Sequence, residues 1–225
     1  MCIETLRKMA ETFQNKIDID FTLTVQLDIK DQKSYHIKIK YGEVTIDEGP
    51  SENPHLLLVT DIDTLQRISN NEMTALTAAG KARMSDPAPL DWRLPKNAQF
   101  TPEIVDNAYY FIQHFFDTTY PEKILLQEKY SRLVHGGHAI PLYYSTGFRS
   151  AWYLLKKGEK LNEPGDTNPF PQAFIFINGT GFAEIGDSVI EVEAGESYYI
   201  PPYTNHMVWT DNELVLIWLA WGEGA

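Results

Sequence analysis

His206 is the residue on which most functional interpretation of this chain depends. It lies near the end of residues 172–209, a stretch in which apolar and aromatic side chains alternate with a few polar ones. Side chains alternate across a strand with period two, so an inward-facing Gln172 shares its face with residues two, four and six positions later, and Val208 shares the face of His206. Apolar faces with a few polar groups are typical of small-molecule pockets. We expect six side chains to bind a ligand: Gln172, Phe174, Phe176, Asn178, His206 and Val208.

The elements that must position these residues are short strands. Residues 172–209 contain apolar and aromatic runs that are divided by Gly179, Gly181 and other turn residues at regular spacing. This pattern is typical of a β-barrel or β-sandwich. The upstream runs PLYY and SAWYLL, followed by the turn KKGE, are expected to form the opening strands of the same barrel.

The run from Gly195 through Pro201 to His206 resembles the second motif of the cupin superfamily, in which a Pro-rich turn leads to an inward-facing histidine that binds a metal. Thr204 departs from the motif, because the family usually has glycine or another small turn residue there. The resemblance implies that residues 119–225 form a cupin barrel, a double-stranded β-helix of jelly-roll type.

The cupin resemblance also implies a first motif with two histidines, and both are missing here. Counting back from Gly179 places Gln172 at the motif's Glu/Gln position and Asp166 and Asn168 near the two histidine positions. A bound metal would then have His206, Gln172, Asp166 and Asn168 as ligands. One imidazole with oxygens suits a weakly bound Mn, Mg or Ca ion better than zinc, copper or nickel, and Fe in a dioxygenase usually needs two or three nitrogen ligands. The alternative is a metal-free barrel in which His206 is a hydrogen-bonded pocket residue or is buried and neutral.

A second pair of histidines, His135 and His138, flanks two glycines. The pair invites a metal interpretation, but two histidines three residues apart across Gly-Gly have no strand or helix to aim them, and no cysteine stands near. We expect a loop or a subunit contact, with a pocket mouth as the alternative.

The first 100 residues combine helical and strand patterns. The segment 2–13 has one apolar helical stripe, and the runs 21–29 and 34–46 alternate as antiparallel strands that are buried on one side. A third run, 55–60, precedes Asp61, which is a good helix N-cap, and the helix 72–79 stops at Gly80. A short strand over residues 81–85 is expected to close this unit.

This order of elements resembles the sterol carrier protein domain, with residues 48–68 and 78–85 carrying the match. The resemblance implies an α+β domain over residues 1–99, with an apolar tunnel that binds acyl chains or sterols. Simple core packing is the alternative role for the residues that could line such a tunnel: Leu56, Leu58, Ile68, Met73 and Leu76. In other proteins the same domain accompanies enzymes as an accessory or dimerisation unit.

Residues 86–99 contain three prolines and are predicted to be a linker. A helix follows within residues 100–118, with Thr101 as N-cap, Pro102 at the first helical position and an apolar stripe that ends at Phe115. Such a stripe must be covered. We expect this bridging helix to pack between the domains or against a second subunit of a homodimer.

Charge and composition exclude several partners. Residues 1–100 carry 12 basic and 15 acidic side chains and residues 101–225 carry 7 and 16, for a net charge of −12. Nucleic acid is therefore an unexpected partner, and no apolar run reaches the length of a membrane span. The single cysteine, Cys2, fits a reducing compartment, and with no visible signal peptide the expected location is the cytoplasm.

Three functions remain open at this point. The first is binding of a small, partly apolar molecule for sensing, storage or delivery: a lipid in the first domain, or a small acid or carbonyl compound in the barrel. The second is a metal-dependent cupin enzyme of isomerase, lyase or dioxygenase type. The third is a purely structural module that assembles a homo-oligomer.

Overall fold

The structure is a computed structural model that describes residues 2–83, 85–96, 98–99 and 101–225, with the backbone alone for Cys2. The chain forms two compact units, Met1–Leu125 and Leu126–Ala225. None of the helices in the described segments is both long enough and apolar enough to cross a membrane.

The first unit is built on a five-stranded sheet. Its elements are α1 (Cys2–Gln14), β1 (Leu23–Ile29), β2 (Ser34–Lys40), β3 (Glu43–Glu48), β4 (Leu56–Thr60), α2 (Ile62–Ser69), α3 (Ala75–Ala79), β5 (Asp91–Arg93) and α4 (Pro102–His114). The strand order is β3-β2-β1-β4-β5, and β4 runs parallel to β1 whereas the other neighbours are antiparallel. Strand β1 alternates strictly between buried and half-buried residues, as its sequence pattern predicts.

The strand predicted over residues 81–85 is wrong for the residues that the structure describes there; Met84 lies outside them. The last strand of the sheet is instead β5, within the segment predicted to be a linker, where Trp92 pairs with Leu58 of β4. Lys81 donates to the carboxylate of Asp91 at the start of β5. The prolines of this segment lie before and after a run of three residues that is too short to show an alternating pattern.

Helix α4 begins as predicted, with the Thr101 hydroxyl accepting the Ile104 N–H. Its apolar stripe is covered inside the first unit, because the Phe13 ring of α1 packs edge-on against Phe111 at 5.8 Å and Phe115 at 5.6 Å between ring centroids. The stripe therefore needs neither a second domain nor a second subunit to cover it. The sequence could not show this, since the two helices are far apart along the chain.

A small cavity of about 50 Å³ lies between α1 and α2. Its lining residues are Thr5, Leu6, Met9, Ile62, Leu65, Gln66, Ser69 and Asn70. The five residues predicted to line a tunnel are not among them. Those five are all buried, with at most 4% of their surface exposed.

The second unit is all β apart from a single 3-10 turn, Glu128–Tyr130. Its strands are β6 (Arg132–Val134), β7 (Gly137–Ser145), β8 (Phe148–Lys156), β9 (Lys160–Leu161), β10 (Gln172–Ile185), β11 (Ser188–Glu193), β12 (Ser197–Ile200), β13 (His206–Trp209) and β14 (Glu213–Trp221). All of its strand pairs are antiparallel. One sheet has the order β6-β7-β8-β14-β10-β12 and the other β11-β10-β13-β9. This confirms the predicted all-β barrel of jelly-roll type.

The long strand β10 belongs to both sheets of the barrel. Its first half pairs with β12 and β14, and its second half pairs with β11 and β13. Gly179 lies at the crossing with φ +84°, and a Cβ there would meet the carbonyl oxygen of Glu213 at 2.0 Å. A Cβ at Gly181 would meet the carbonyl oxygen of Trp209 at 2.5 Å. Glycine at these positions lets the strand fold over and bring its two ends to the same end of the barrel.

Candidate ligand site at one end of the barrel

Gln172 begins β10 and is fully buried. Its Oε1 atom accepts two hydrogen bonds, from Trp218 Nε1 at 2.8 Å and from Asn168 Nδ2 at 3.1 Å. Its Nε2 atom is buried and has no hydrogen-bond partner. The acceptor half of this amide is therefore saturated, while both N–H groups of the donor half are unused.

His206 begins β13 and is 2% exposed. Its Nδ1 atom lies 2.9 Å from the carbonyl oxygen of Thr204, and because a carbonyl oxygen can only accept, Nδ1 carries the proton in this contact. Burial lowers the pKa of His206 below its ordinary value, against the smaller opposing effects of the Thr204 hydrogen bond and the charge of Asp166. The imidazole is therefore neutral near pH 7, and its Nε2 is available as an acceptor.

His206 and Gln172 lie at the same end of the barrel. The ring of Phe174, two residues after Gln172, lies 5.9 Å from the His206 ring between centroids. The loop 162–171 connects the two residues, since the carbonyl of Asp166 accepts the His206 N–H at 3.3 Å and the Asn168 side chain donates to Gln172. The structure thus brings together two polar groups that are 34 residues apart in the sequence.

The residues predicted to hold a metal do not form a convergent donor set. The Asp166 side chain is exposed and accepts the N–H of Glu163 at 2.9 Å, and Asn168 turns its nitrogen towards Gln172. Within the described residues there is no group of three or more His, Cys, Asp or Glu side chains that could hold a metal ion. His206 and the already bonded oxygen of Gln172 are a poor fit for any of Mn, Mg, Ca or Fe.

The prediction for Asn178 is wrong, because Asn178 is exposed and does not share the face of Gln172. The pairing of β10 with β14 shifts between Phe176 and Asn178, where one extra residue, Ile177, forms a bulge and reverses the alternation. Phe174, Phe176 and Val208 do face inward, with at most 1% exposure, and pack in the barrel core. Of these three, Phe174 is the residue that reaches His206.

The two further histidines lie at the hairpin between β6 and β7. His135 and Gly136 form its turn with φ of 56° and 82°. His138 is the second residue of β7, where its Nε2 lies 3.3 Å from Glu159 and its Nδ1 lies 3.3 Å from the Ser131 hydroxyl. The loop position expected for the pair holds for His135, whereas His138 is tied to the barrel surface.

Two residues that sequence reasoning did not assign to the site lie on the same face of the sheet as Gln172. Trp218 of β14 donates its indole N–H to Gln172. Arg149 of β8 has a buried Nε without a hydrogen-bond partner. Arg149 is an even number of residues from three inward-facing residues of β8, and therefore points to the same face: Ala151, Tyr153 and Leu155. The intervening Trp152 and Leu154 are also buried and apolar, so the sequence does not show which residues of β8 face inward.

No family model matches the sequence, and no curated protein matches it. Among solved structures, a cupin 2 conserved barrel domain protein from Salinispora arenicola is 18% identical, over 46% of this chain and 91% of that chain, with a TM-score of 0.41. An RmlC-like cupin from Shewanella frigidimarina is 15% identical over 40% of this chain and 80% of that chain, with a TM-score of 0.38. A cupin-like protein from Thermotoga maritima is 21% identical over 37% and 67%, with a TM-score of 0.35. At these values the likenesses carry no argument about the activity of this chain.

Proposed function

We propose that the second unit is a cupin-type barrel that binds a small, partly apolar molecule at the end where Gln172 and His206 meet, for sensing, storage or delivery. The molecule carries an oxygen that accepts hydrogen bonds, as an acid or a carbonyl compound does. The single observation that carries this proposal is the donor nitrogen of Gln172, which is buried and unpaired.

A buried donor without a partner costs about 1–3 kcal/mol. Such groups are rare in native proteins, and each calls for a physical reason. Rotation of the Gln172 amide would not remove the cost, because its oxygen is held by two donors, Trp218 and Asn168. An acceptor atom delivered by a ligand offsets the cost, so the free energy lost in the unliganded protein becomes binding free energy.

The neighbouring groups define what the ligand must offer. Gln172 Nε2 donates to an oxygen of the ligand, and the neutral His206 accepts from a hydroxyl group or from a bridging water through Nε2. Phe174 and Trp218 supply apolar surface beside these two polar groups. The site therefore suits a molecule with one polar end and a small apolar body.

The other two ligand predictions have weaker support. The cavity of about 50 Å³ in the first unit is far smaller than the ~300–1,000 Å³ typical of ligand pockets, so it does not favour a lipid. A metal-dependent reaction at His206 has no set of free donor atoms around it among the described residues. Binding at the barrel end is thus the function that the geometry supports best.

The proposal is tested by isothermal titration calorimetry with 3-phenylpropanamide, which has a carbonyl acceptor and a small apolar body. The wild type is expected to bind with a Kd in the high micromolar range or tighter. Gln172→Leu removes the unpaired donor, and we expect a loss of at least about tenfold in affinity, which corresponds to ~1.4 kcal/mol.

Asn178→Leu is the matched control, because it removes an amide from the same strand beyond the bulge, where the side chain faces solvent. It is expected to bind the probe as the wild type does. The proposal fails if the wild type does not bind the probe, or if Gln172→Leu binds it with unchanged affinity.

A further inference from the structure

Arg149 is a cation with one buried, unused donor at the same end of the barrel. Its Nε atom has no hydrogen-bond partner. Its guanidinium carbon lies 5.8 Å from the centroid of the Tyr144 ring and 6.0 Å from that of Phe170. Phe170 in turn packs with Ala220, Ala225 and Trp218, so the contacts described for the charge are with aromatic rings that belong to an apolar cluster.

Arg149 and Gln172 lie in one row across the sheet. Both residues pair directly with Ala220 of β14, one from β8 and the other from β10. Two strands separated by a third are about 10 Å apart. Residues that pair directly across strands point to the same face of the sheet, so Arg149 and Gln172 share a face and only the methyl group of Ala220 lies between them. The guanidinium itself lies near the ring of Phe170, two residues before Gln172.

Among the described residues, no carboxylate is paired with Arg149. None of the ion pairs formed among the described residues includes Arg149. This is unusual in a chain whose net charge is −12, with most of the acidic excess in residues 101–225. A partly buried guanidinium normally has an anionic partner, because its desolvation is costly otherwise.

We propose that Arg149 and Gln172 form a carboxylate-binding pair, and that the ligand of the barrel is a small apolar carboxylic acid bound as its anion. One carboxylate oxygen accepts from Arg149 Nε and the other from Gln172 Nε2, so that both unpaired donors are satisfied together. The inference rests on the proposed function and narrows its ligand class.

A carboxylate suits this pair better than a phosphate. It is planar, carries one charge and offers one oxygen to each of the two donor nitrogens, whereas a phosphate carries more negative charge than the single Arg149 guanidinium can neutralise. The neighbouring side chains described here are the aromatic rings of Phe170, Tyr144 and Trp218, which carry no positive charge that could neutralise a second negative charge. The aromatic groups suit the apolar body of the acid.

The test compares 3-phenylpropanoate with its neutral amide, 3-phenylpropanamide, by calorimetry at pH 7.5. The wild type is expected to bind the acid at least tenfold more tightly than the amide. In Arg149→Met that preference disappears, while the amide binds with an affinity within about threefold of wild type. Arg149→Lys keeps a charge but lacks Nε–H, and is expected to recover only part of the preference.

Lys157→Met is the control for net charge, since Lys157 is an exposed cation of the same unit; it should leave the preference unchanged. Melting temperatures show which variants are folded, and Arg149→Lys replaces Arg149→Met if the latter is not. If the wild type binds amide and acid equally, or if Arg149→Met keeps the preference, the inference is overturned and the proposed function stands. If the amide does not bind the wild type, the proposed function fails and the inference fails with it.

Discussion

Burial decides the protonation state of His206, and through it the kind of hydrogen bond that the site offers. The ring keeps its proton on Nδ1 for Thr204 and presents Nε2 as an acceptor. Strand periodicity in the sequence was enough to predict that His206, Gln172 and Phe174 face inward. It could not predict the exposure of Asn178, which depends on a bulge set by the pairing of β10 with β14. Nor could it place Arg149 in one row with Gln172, since that row is formed through Ala220, 71 residues after Arg149 in the sequence.

The lowered pKa of His206 predicts a dependence of stability on pH. The unfolded chain binds a proton at His206 near pH 6.5, whereas the folded protein does so only at lower pH. Stability from the neutral ring is therefore fully present above pH ~6.5 and is lost as the pH falls through the folded pKa, by at most about 1.4 kcal/mol per pH unit. Urea unfolding from pH 7.5 to 5 should show a steeper loss for the wild type than for His206→Gln. Parallel curves would mean that the ring is not held neutral.

The bent strand β10 is the element that builds the site. Its first half carries Gln172 in one sheet, and its second half pairs in the other sheet with β13, which carries His206. Glycines in this stretch predicted turns between strands. They could not predict one continuous strand that crosses between two sheets, since the requirement for glycine comes from carbonyl oxygens of Glu213 and Trp209, which lie far along the chain.

Gly179→Ala is expected to destabilise the protein by at least about 3 kcal/mol, through backbone strain and a clash with Glu213 that the strand cannot relieve. Gly158→Ala is the matched control: its φ of +83° is nearly the same, but nothing lies within 4 Å of an added Cβ. It should cost only about 1 kcal/mol. Chemical unfolding measures both, and equal losses would show that strain alone acts at Gly179.

A second element-scale prediction concerns an ion pair between the segment that follows α1 and the segment that follows α4. Lys16 donates to Glu122 at 2.5 Å, and His114 lies 2.8 Å from the other carboxylate oxygen. Burial acts to raise the pKa of Glu122, but these two partners outweigh it and hold that pKa below its ordinary value. Lys16→Met should cost about 2–3 kcal/mol by leaving the half-buried carboxylate without its lysine partner. Lys33→Met, in the exposed pair with Glu48, should change nothing measurable, and an equal loss in both variants would contradict this account.

As a whole molecule, the chain is two compact units with an excess of acid. Chain length and the change of pattern along the sequence predicted two domains joined by a helix within residues 100–118. The boundary at Leu125/Leu126 could not be read from the sequence, because α4 joins the first unit through aromatic contacts with α1. The net charge of −12 predicts no binding to duplex DNA at 150 mM salt in fluorescence anisotropy. Micromolar binding that weakens as salt rises would contradict this prediction.

The most direct test of the central claim is the side-chain amide resonance of Gln172 in a 1H–15N correlation spectrum, assigned by its loss in Gln172→Leu. On titration with 3-phenylpropanamide the Gln172 NH2 pair should shift in a saturable way, with the Asn178 pair unchanged as an internal reference. A probe that binds while the Gln172 resonances stay in place would contradict the claim that this buried donor holds the ligand.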